Sequence, residues 1–214
     1  MSEHEDAKKI VEFIKGTAIA DLRSQVNWVR DSRNGKVPPP TDGQLNFALA
    51  LLALIVCESC GFYMLGASKT PNDFEKGRAD LGTYVMEFIQ DRFERHSPLK
   101  HLVKVLADFL RHALVHGYGS YTPKLDYGLA LFISLDMNNR ARAVEEKGAR
   151  VIELNSLALA EETLRAFEEF KDEVNEGKNA ELLSNILRAR DHEVKVGESI
   201  RNQFNVVFEK LKKA

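Results

Sequence analysis

The sequence predicts a mainly α-helical fold, an antiparallel helical bundle carrying a late β-hairpin. Long segments with apolar residues at helical spacing and clear start and stop signals fill most of the chain. Two short apolar runs in turn-rich surroundings sit near residues 128–154. The composition is that of an ordinary globular chain: 214 residues, 44% hydrophobic, 29% charged, with two cysteines. That apolar fraction suffices for a core without disulfides or a structural metal, and it excludes a disordered chain.

From Glu5 to Arg30, apolar residues at Ile10, Val11, Phe13, Ile14, Ala18, Leu22, Val26 and Val29 give an amphipathic helix. Asn34-Gly35 and Pro38–Pro40 break it. Thr41 and Gln44 form a capping-box pattern ahead of a Leu- and Ala-rich helix to Leu65, with Gly66 as its left-handed cap. This helix is apolar on most sides and belongs in the middle of the fold. Its most apolar run, Phe47 to Cys57, has eleven residues, too few for a membrane span. Thr70-Pro71 starts another helix through about Phe93, which Gly77 and Gly82 interrupt.

Ser97-Pro98 repeats that start signal. Leu102, Val103, Leu106, Phe109, Leu110, Ala113 and Leu114 then mark a helix over 97–116, ended by Gly117. A loop rich in Gly and Tyr follows. Gly128–Leu135 and Arg150–Leu154 read as strands joined by a polar linker, and a hairpin is the economical pairing. Asn155 or Ser156 caps a helix to about Asn175, and a last helix runs from Asn179 towards Lys210. The whole chain reads as a single helical domain: an N-terminal core over 1–120, a loop and hairpin over 121–154, and C-terminal helices over 155–214. The acidic start, Met-Ser-Glu-His-Glu-Asp, lacks the apolar stretch of a secretory signal. With two cysteines, a reducing cytoplasm is the expected compartment.

The net charge of -2 excludes broad adhesion to phosphate, yet it hides a local asymmetry. Between Arg92 and His116 there are five Lys/Arg and two Asp/Glu, with four of the six histidines (His96, His101, His112, His116). From Glu153 to Glu198 there are twelve acids against six bases. The basic helix ends in Arg111-His112-Ala-Leu-Val-His116: an Arg, a polar residue, three further positions, then His at the helix end.

That arrangement resembles the HEPN superfamily (higher eukaryotes and prokaryotes nucleotide-binding domains), whose endoribonucleases carry Arg, a polar residue, three variable residues and His. The resemblance covers roughly residues 5–120 and implies a HEPN-like helical bundle. It also implies a two-fold dimer in which motif helices from both subunits line one cleft. On this reading Arg111 clamps phosphate, His116 is the general acid/base and His112 orients. Lys104, Glu58 and Tyr118 are the further candidates for substrate contact. The chemistry needs no metal and no cofactor. Histidine titrates near neutrality and can move the protons of 2′-OH attack, while arginine offers a bidentate fork to phosphate oxygens. Arg111 and His116 sit roughly 140° apart around a regular helix, so one helix aims them in different directions. RNA or a nucleotide is the implied ligand, in a toxin or defence setting with a cognate antitoxin or partner protein, and no membrane is involved. The alternative is a HEPN-like module that binds nucleotide or protein without catalysis, suited to a basic partner through its acidic C-terminal third.

Two other patterns compete for notice. His112 and His116 lie one turn apart, the spacing of a helical metal pair, but the Glu of a metalloprotease motif is replaced by Ala113 and no third ligand is specified. Cys57-Glu-Ser-Cys60 has redox-like spacing but lies inside an apolar helix, where thiols behave as small hydrophobes. Glu58 in that same helix requires a partner, Arg111 being the candidate, or an exposed position.

Overall fold

A computed structural model describes residues 2–37, 44–66, 81–106, 127–146 and 148–212, and within these the chain is mainly helical with one small sheet. Helix α1 (Glu3–Ile14) begins where the Ser2 hydroxyl accepts from the Glu5 amide, with Glu3, Glu5 and Asp6 facing the positive end of the helix dipole. The expected single helix over 5–30 is longer, and it is interrupted: a π-helical turn, Lys15–Ile19, separates α1 from α2 (Ala20–Arg33). Gly16 and β-branched Thr17 lie in that turn, where the Thr17 hydroxyl donates to the Phe13 carbonyl at 2.9 Å. Such back-bonding competes with the regular helical ladder.

Helix α3 (Gln44–Leu65) is the central element, packed on α2, α4 (Leu81–Arg92) and both C-terminal helices. It is longer than its most apolar run suggests. Asn46–Leu65, with a mean hydropathy of 2.0, is long and apolar enough to cross a membrane by length and composition, and half of that stretch is buried inside the fold. Ala53, Val56, Cys57 and Cys60 are wholly buried. Its C-terminus closes at Gly66, with φ of 69°. The carbonyls left over there accept from the C-terminal helix: Asn185 Nδ2 reaches Met64 O at 2.8 Å and Arg188 Nε reaches Gly66 O at 2.9 Å. The capping Thr41 lies outside the described residues, as do Thr70, Pro71 and Gly77. Gly82 does not interrupt α4; it lies in the first turn. Helix α5 (Leu99–Val105) follows Ser97-Pro98 as expected, with the Leu99 amide donating to Ser97 Oγ at 3.3 Å.

The sheet departs from the expected hairpin. It has three strands in the order β1-β3-β2: β1 (Tyr127–Phe132), β2 (Ala141–Glu146) and β3 (Ala149–Asn155). The two apolar runs pair parallel, and the antiparallel partner of β3 is the segment that reads as polar linker. Charge hides that strand. Arg142 stands opposite Glu153 and forms an ion pair with it, and Glu145 stands opposite Arg150. Cross-strand pairs of opposite sign stabilise an edge strand that apolar patterning cannot reveal. Gly148, with φ of 85°, provides the left-handed position in the tight β2–β3 connection.

Asn155 ties the sheet to the helices. Its Oδ1 accepts from the Leu157 and Ser134 amides, both at 3.2 Å, and its Nδ2 donates to Ser134 O at 3.0 Å and Asn139 O at 3.2 Å. This wholly buried side chain is therefore fully satisfied and caps α6 (Ser156–Glu176). Helix α6 ends at Gly177, with φ of 67°, and α7 (Ala180–Lys212) starts on Asn179, whose Oδ1 accepts from the Leu182 amide at 3.0 Å. The core lies between α3, α4, α6 and the first half of α7, with Phe88, Phe167, Phe170 and Ile186 fully buried.

Candidate functional site

Arg111, His112, His116 and Tyr118 lie outside the described residues, as does the metal-pair reading of the two histidines. The segment that precedes them in the chain, from Ser97 to Leu106, is described in detail. Glu162, on α6, projects its carboxylate into the junction of α4, α5 and β2, with only 4% of the side chain exposed. Oε2 accepts from Ser97 Oγ at 2.9 Å and from Arg140 Nη1 at 2.9 Å, and Oε1 accepts from the Glu94 amide at 3.0 Å. Arg140 Nη2 bridges onward to Glu94 Oε2 at 2.7 Å. One buried carboxylate thus fixes the serine that starts α5. Without those donors a buried charge of this kind costs several kcal/mol.

Around that segment, Arg95, His96, His101 and Lys104 are exposed. Arg92 and Lys100 are committed elsewhere. Arg92 pairs with Glu173 at 2.5 Å over the Phe170 ring, and Lys100 donates to Gln90 O at 2.6 Å. The local positive charge therefore resolves into structural bases and solvent-facing ones, and Lys104 is one of the latter.

Glu58 lies elsewhere. It is half-buried and lines a cavity of about 350 Å³ between the π turn, α3, α4 and α7, with Phe13, Thr17, Ile55, Ser59, Phe62, Tyr63, Tyr84 and Glu193 among its neighbours. Opening on this groove removes much of the desolvation that a carboxylate in an apolar helix would otherwise suffer. The Tyr63 hydroxyl donates to Glu193 Oε2 at 2.7 Å, and Arg190 pairs with the same carboxylate at 3.0 Å. Burial and the neighbouring Glu193 charge push the Tyr63 phenol above its ordinary range. Among the described residues, the charged groups lining the cavity are Glu58 and Glu193, the latter paired with Arg190, and Lys104 is not among its walls. Glu58 and Lys104 are therefore not brought together in this groove.

Sequence reasoning missed Glu162 and Arg140. A signal for Glu162 exists. It falls in the register Leu159, Glu162, Thr163, Ala166, Phe167, Phe170, where every other member is buried against the core. A carboxylate at such a position needs dedicated donors. Nothing comparable marks Arg140, which reaches Glu162 from the approach to the unrecognised strand.

The thiols behave as expected of buried hydrophobes. Both cysteines are free and buried, with Cys57 Sγ 3.5 Å from Thr163 Oγ1. Burial pushes the Cys57 thiol from 9.0 up to about 12, against the opposing Thr163 hydrogen bond, and burial raises Cys60 well above the usual range. The linkage has a definite sign. Above pH 9 the unfolded chain sheds thiol protons that the folded chain keeps, so stability falls as pH rises from 9 towards 12, by up to about 1.4 kcal/mol per pH unit per group. Urea denaturation should show at least about 2 kcal/mol less stability at pH 10.5 than at pH 8. An unchanged midpoint would show that the thiols titrate normally in the folded protein. Among the described residues, no group of three or more His, Cys, Asp or Glu is placed to hold a metal ion.

Comparison with protein-family models, with curated proteins and with solved structures gives no significant match.

Proposed function

We propose that this chain is a HEPN-like endoribonuclease that cleaves RNA without a metal ion. The observation that carries the reading is the Arg111-His112-Ala-Leu-Val-His116 motif directly downstream of α5. The exposed Arg95, His96, His101 and Lys104 support it, because they put a basic, solvent-facing patch on the turn and helix that precede the motif. The rigid anchoring of Ser97 by Glu162 supports it as well, since catalytic groups need a fixed base. In this reading Arg111 holds the scissile phosphate, His116 moves the proton, His112 orients, and two chains complete the cleft. The role is that of a toxin or defence effector held in check by a partner protein.

The alternative, a non-catalytic module for a basic partner, draws on the acidic C-terminal third. The acids of α6 weaken it, because they are already engaged. Glu161 pairs with Arg30 at 2.6 Å, Glu168 with Arg23 at 2.7 Å, Glu173 with Arg92, Glu162 with Arg140, and Glu169 with Arg165. Four of these five pairs tie α6 to other segments of the chain.

The test is incubation of the purified protein with RNA in EDTA, beside Arg111→Ala and His116→Ala. Cleavage by the wild type that drops about a hundredfold or more in each variant is the expected result. Equal cleavage by all three preparations, or binding of RNA with no turnover in any, would replace the enzyme with the module.

A further inference from the structure

The core-facing stripe of α7 does not stop where the core stops. Leu182, Ile186 and Ala189 are buried, and Glu193 meets Tyr63 at the edge of the body. Continuing at the same helical spacing, the stripe runs through Gly197, Ile200, Phe204 and Val207. Beyond the body, Ile200, Val207 and Phe208 are each 53% exposed and Phe204 is 66% exposed. Phe204 and Phe208 stack on each other at 6.2 Å between ring centres. The segment from Val194 to Lys212 holds 19 residues, a helix roughly 28 Å long.

Positions 197, 200, 204, 207 and 211 alternate by three and four residues, the a/d spacing with which one helix packs on another. The charges say which helix. Residues 190–199 carry Asp191, Glu193 and Glu198 against Arg190, which pairs with Glu193, and Lys195, whereas 200–212 carry Arg201, Lys210 and Lys212 against Glu209. One half has a charge of −1 and the other +2. An antiparallel pair of these segments therefore sets each half against its complement, while a parallel pair sets like against like. Full overlap of 191–212 on itself places Asp191 opposite Lys212 and Lys195 beside Glu209. The tip of each tail would then reach the root of the other, where α1 leaves Phe13 67% exposed. The stripe offers on the order of 500 Å² per chain, so a pair buries about 1,000 Å², the lower bound for a specific interface.

We propose that the projecting half of α7 is a dimerisation arm that pairs antiparallel with the arm of a second copy of this chain. The arm joins the same two chains that complete the cleft, so it rests on that reading for its partner, and the test keeps the two separable because mass reports the arm and RNA cleavage reports the motif. Sedimentation equilibrium of the full chain at 1–100 μM is expected to give twice the 24.2 kDa chain mass. Phe204→Glu with Val207→Glu should halve the mass and leave the circular dichroism of the body intact, because both residues are solvent-facing in the protomer. Arg111→Ala should leave the dimer unchanged. For orientation, Lys195→Cys and Glu209→Cys chains are mixed under mild oxidation. Cross-links between the two species, exceeding those within either species, are expected. A monomer at 100 μM would overturn the proposal, as would a dimer that survives the double charge substitution, preferential cross-linking within each species, or a monomer that binds anionic vesicles through the arm.

Discussion

Glu162→Ala is expected to lower the unfolding free energy by about 3–5 kcal/mol, the range for breaking a buried ion pair. The reason lies in what remains. Arg140 keeps its guanidinium 22% exposed and loses its buried partner, keeping Glu94. The Ser97 hydroxyl and the Glu94 amide lose their acceptor, and each unsatisfied buried donor costs roughly 1–3 kcal/mol. Arg140→Ala strands the carboxylate itself and should cost a similar amount, since Ser97 and the Glu94 amide compensate only part of its charge. Removing both should cost clearly less than the sum of the single effects, a coupling of about 1–3 kcal/mol. Glu162→Gln keeps acceptor and shape and should fall between wild type and Glu162→Ala. Urea denaturation of the four proteins tests this. Additive single effects would mean that the two side chains do not share a network. Hydrogen exchange adds a local readout: amides at the start of α5, which follows Ser97, should lose protection in Glu162→Ala before the amides of α3 do.

The same network shows where sequence reading succeeds and where it stops. Helices α3, α6 and α7 were legible because their signals are local: apolar residues three and four apart, Asn155 as a cap and Gly66 as a stop. The α1–α2 break was not legible, because a π turn leaves the apolar stripe almost unchanged. Strand β2 was missed because cross-strand charge, not apolar patterning, specifies it, and its partner lies across a turn. Parallel pairing of β1 with β3 depends on that missed strand, which occupies the other edge of β3 and makes β3 central. At the candidate site, the motif residues were legible as a pattern. The Glu162–Arg140–Ser97 anchor was not, because its members are separated by up to 65 residues and only tertiary structure brings them together. Glu58 was recognisable as an anomaly in an apolar helix, but the groove it lines depends on α1 and α7.

Gly61→Ala should destabilise the protein by about 2–4 kcal/mol, although alanine is the better helix former by roughly 1 kcal/mol. Gly61 lies in α3 where α4 crosses. A β-carbon built there would sit 2.1 Å from the Tyr84 carbonyl oxygen and 2.7 Å from its carbonyl carbon. Both atoms are backbone, so no rotamer change relieves the overlap, and the two helices must separate. Separation also loosens the Phe62–Tyr84 edge contact, whose ring centres are 5.4 Å apart, and the cavity wall both rings form. Gly16, in the π turn, provides the control, because a β-carbon there meets nothing within 4 Å. Gly16→Ala should be neutral or stabilising by up to about 1 kcal/mol. At roughly 2–4 °C per kcal/mol for a chain of this size, thermal unfolding should place Gly61→Ala about 10 °C below wild type and Gly16→Ala at or above it. The opposite signs are the point of the comparison: propensity acts equally at both glycines, so any difference measures the α3–α4 approach. If both substitutions shift the midpoint alike, the close crossing of these helices is not what Gly61 provides.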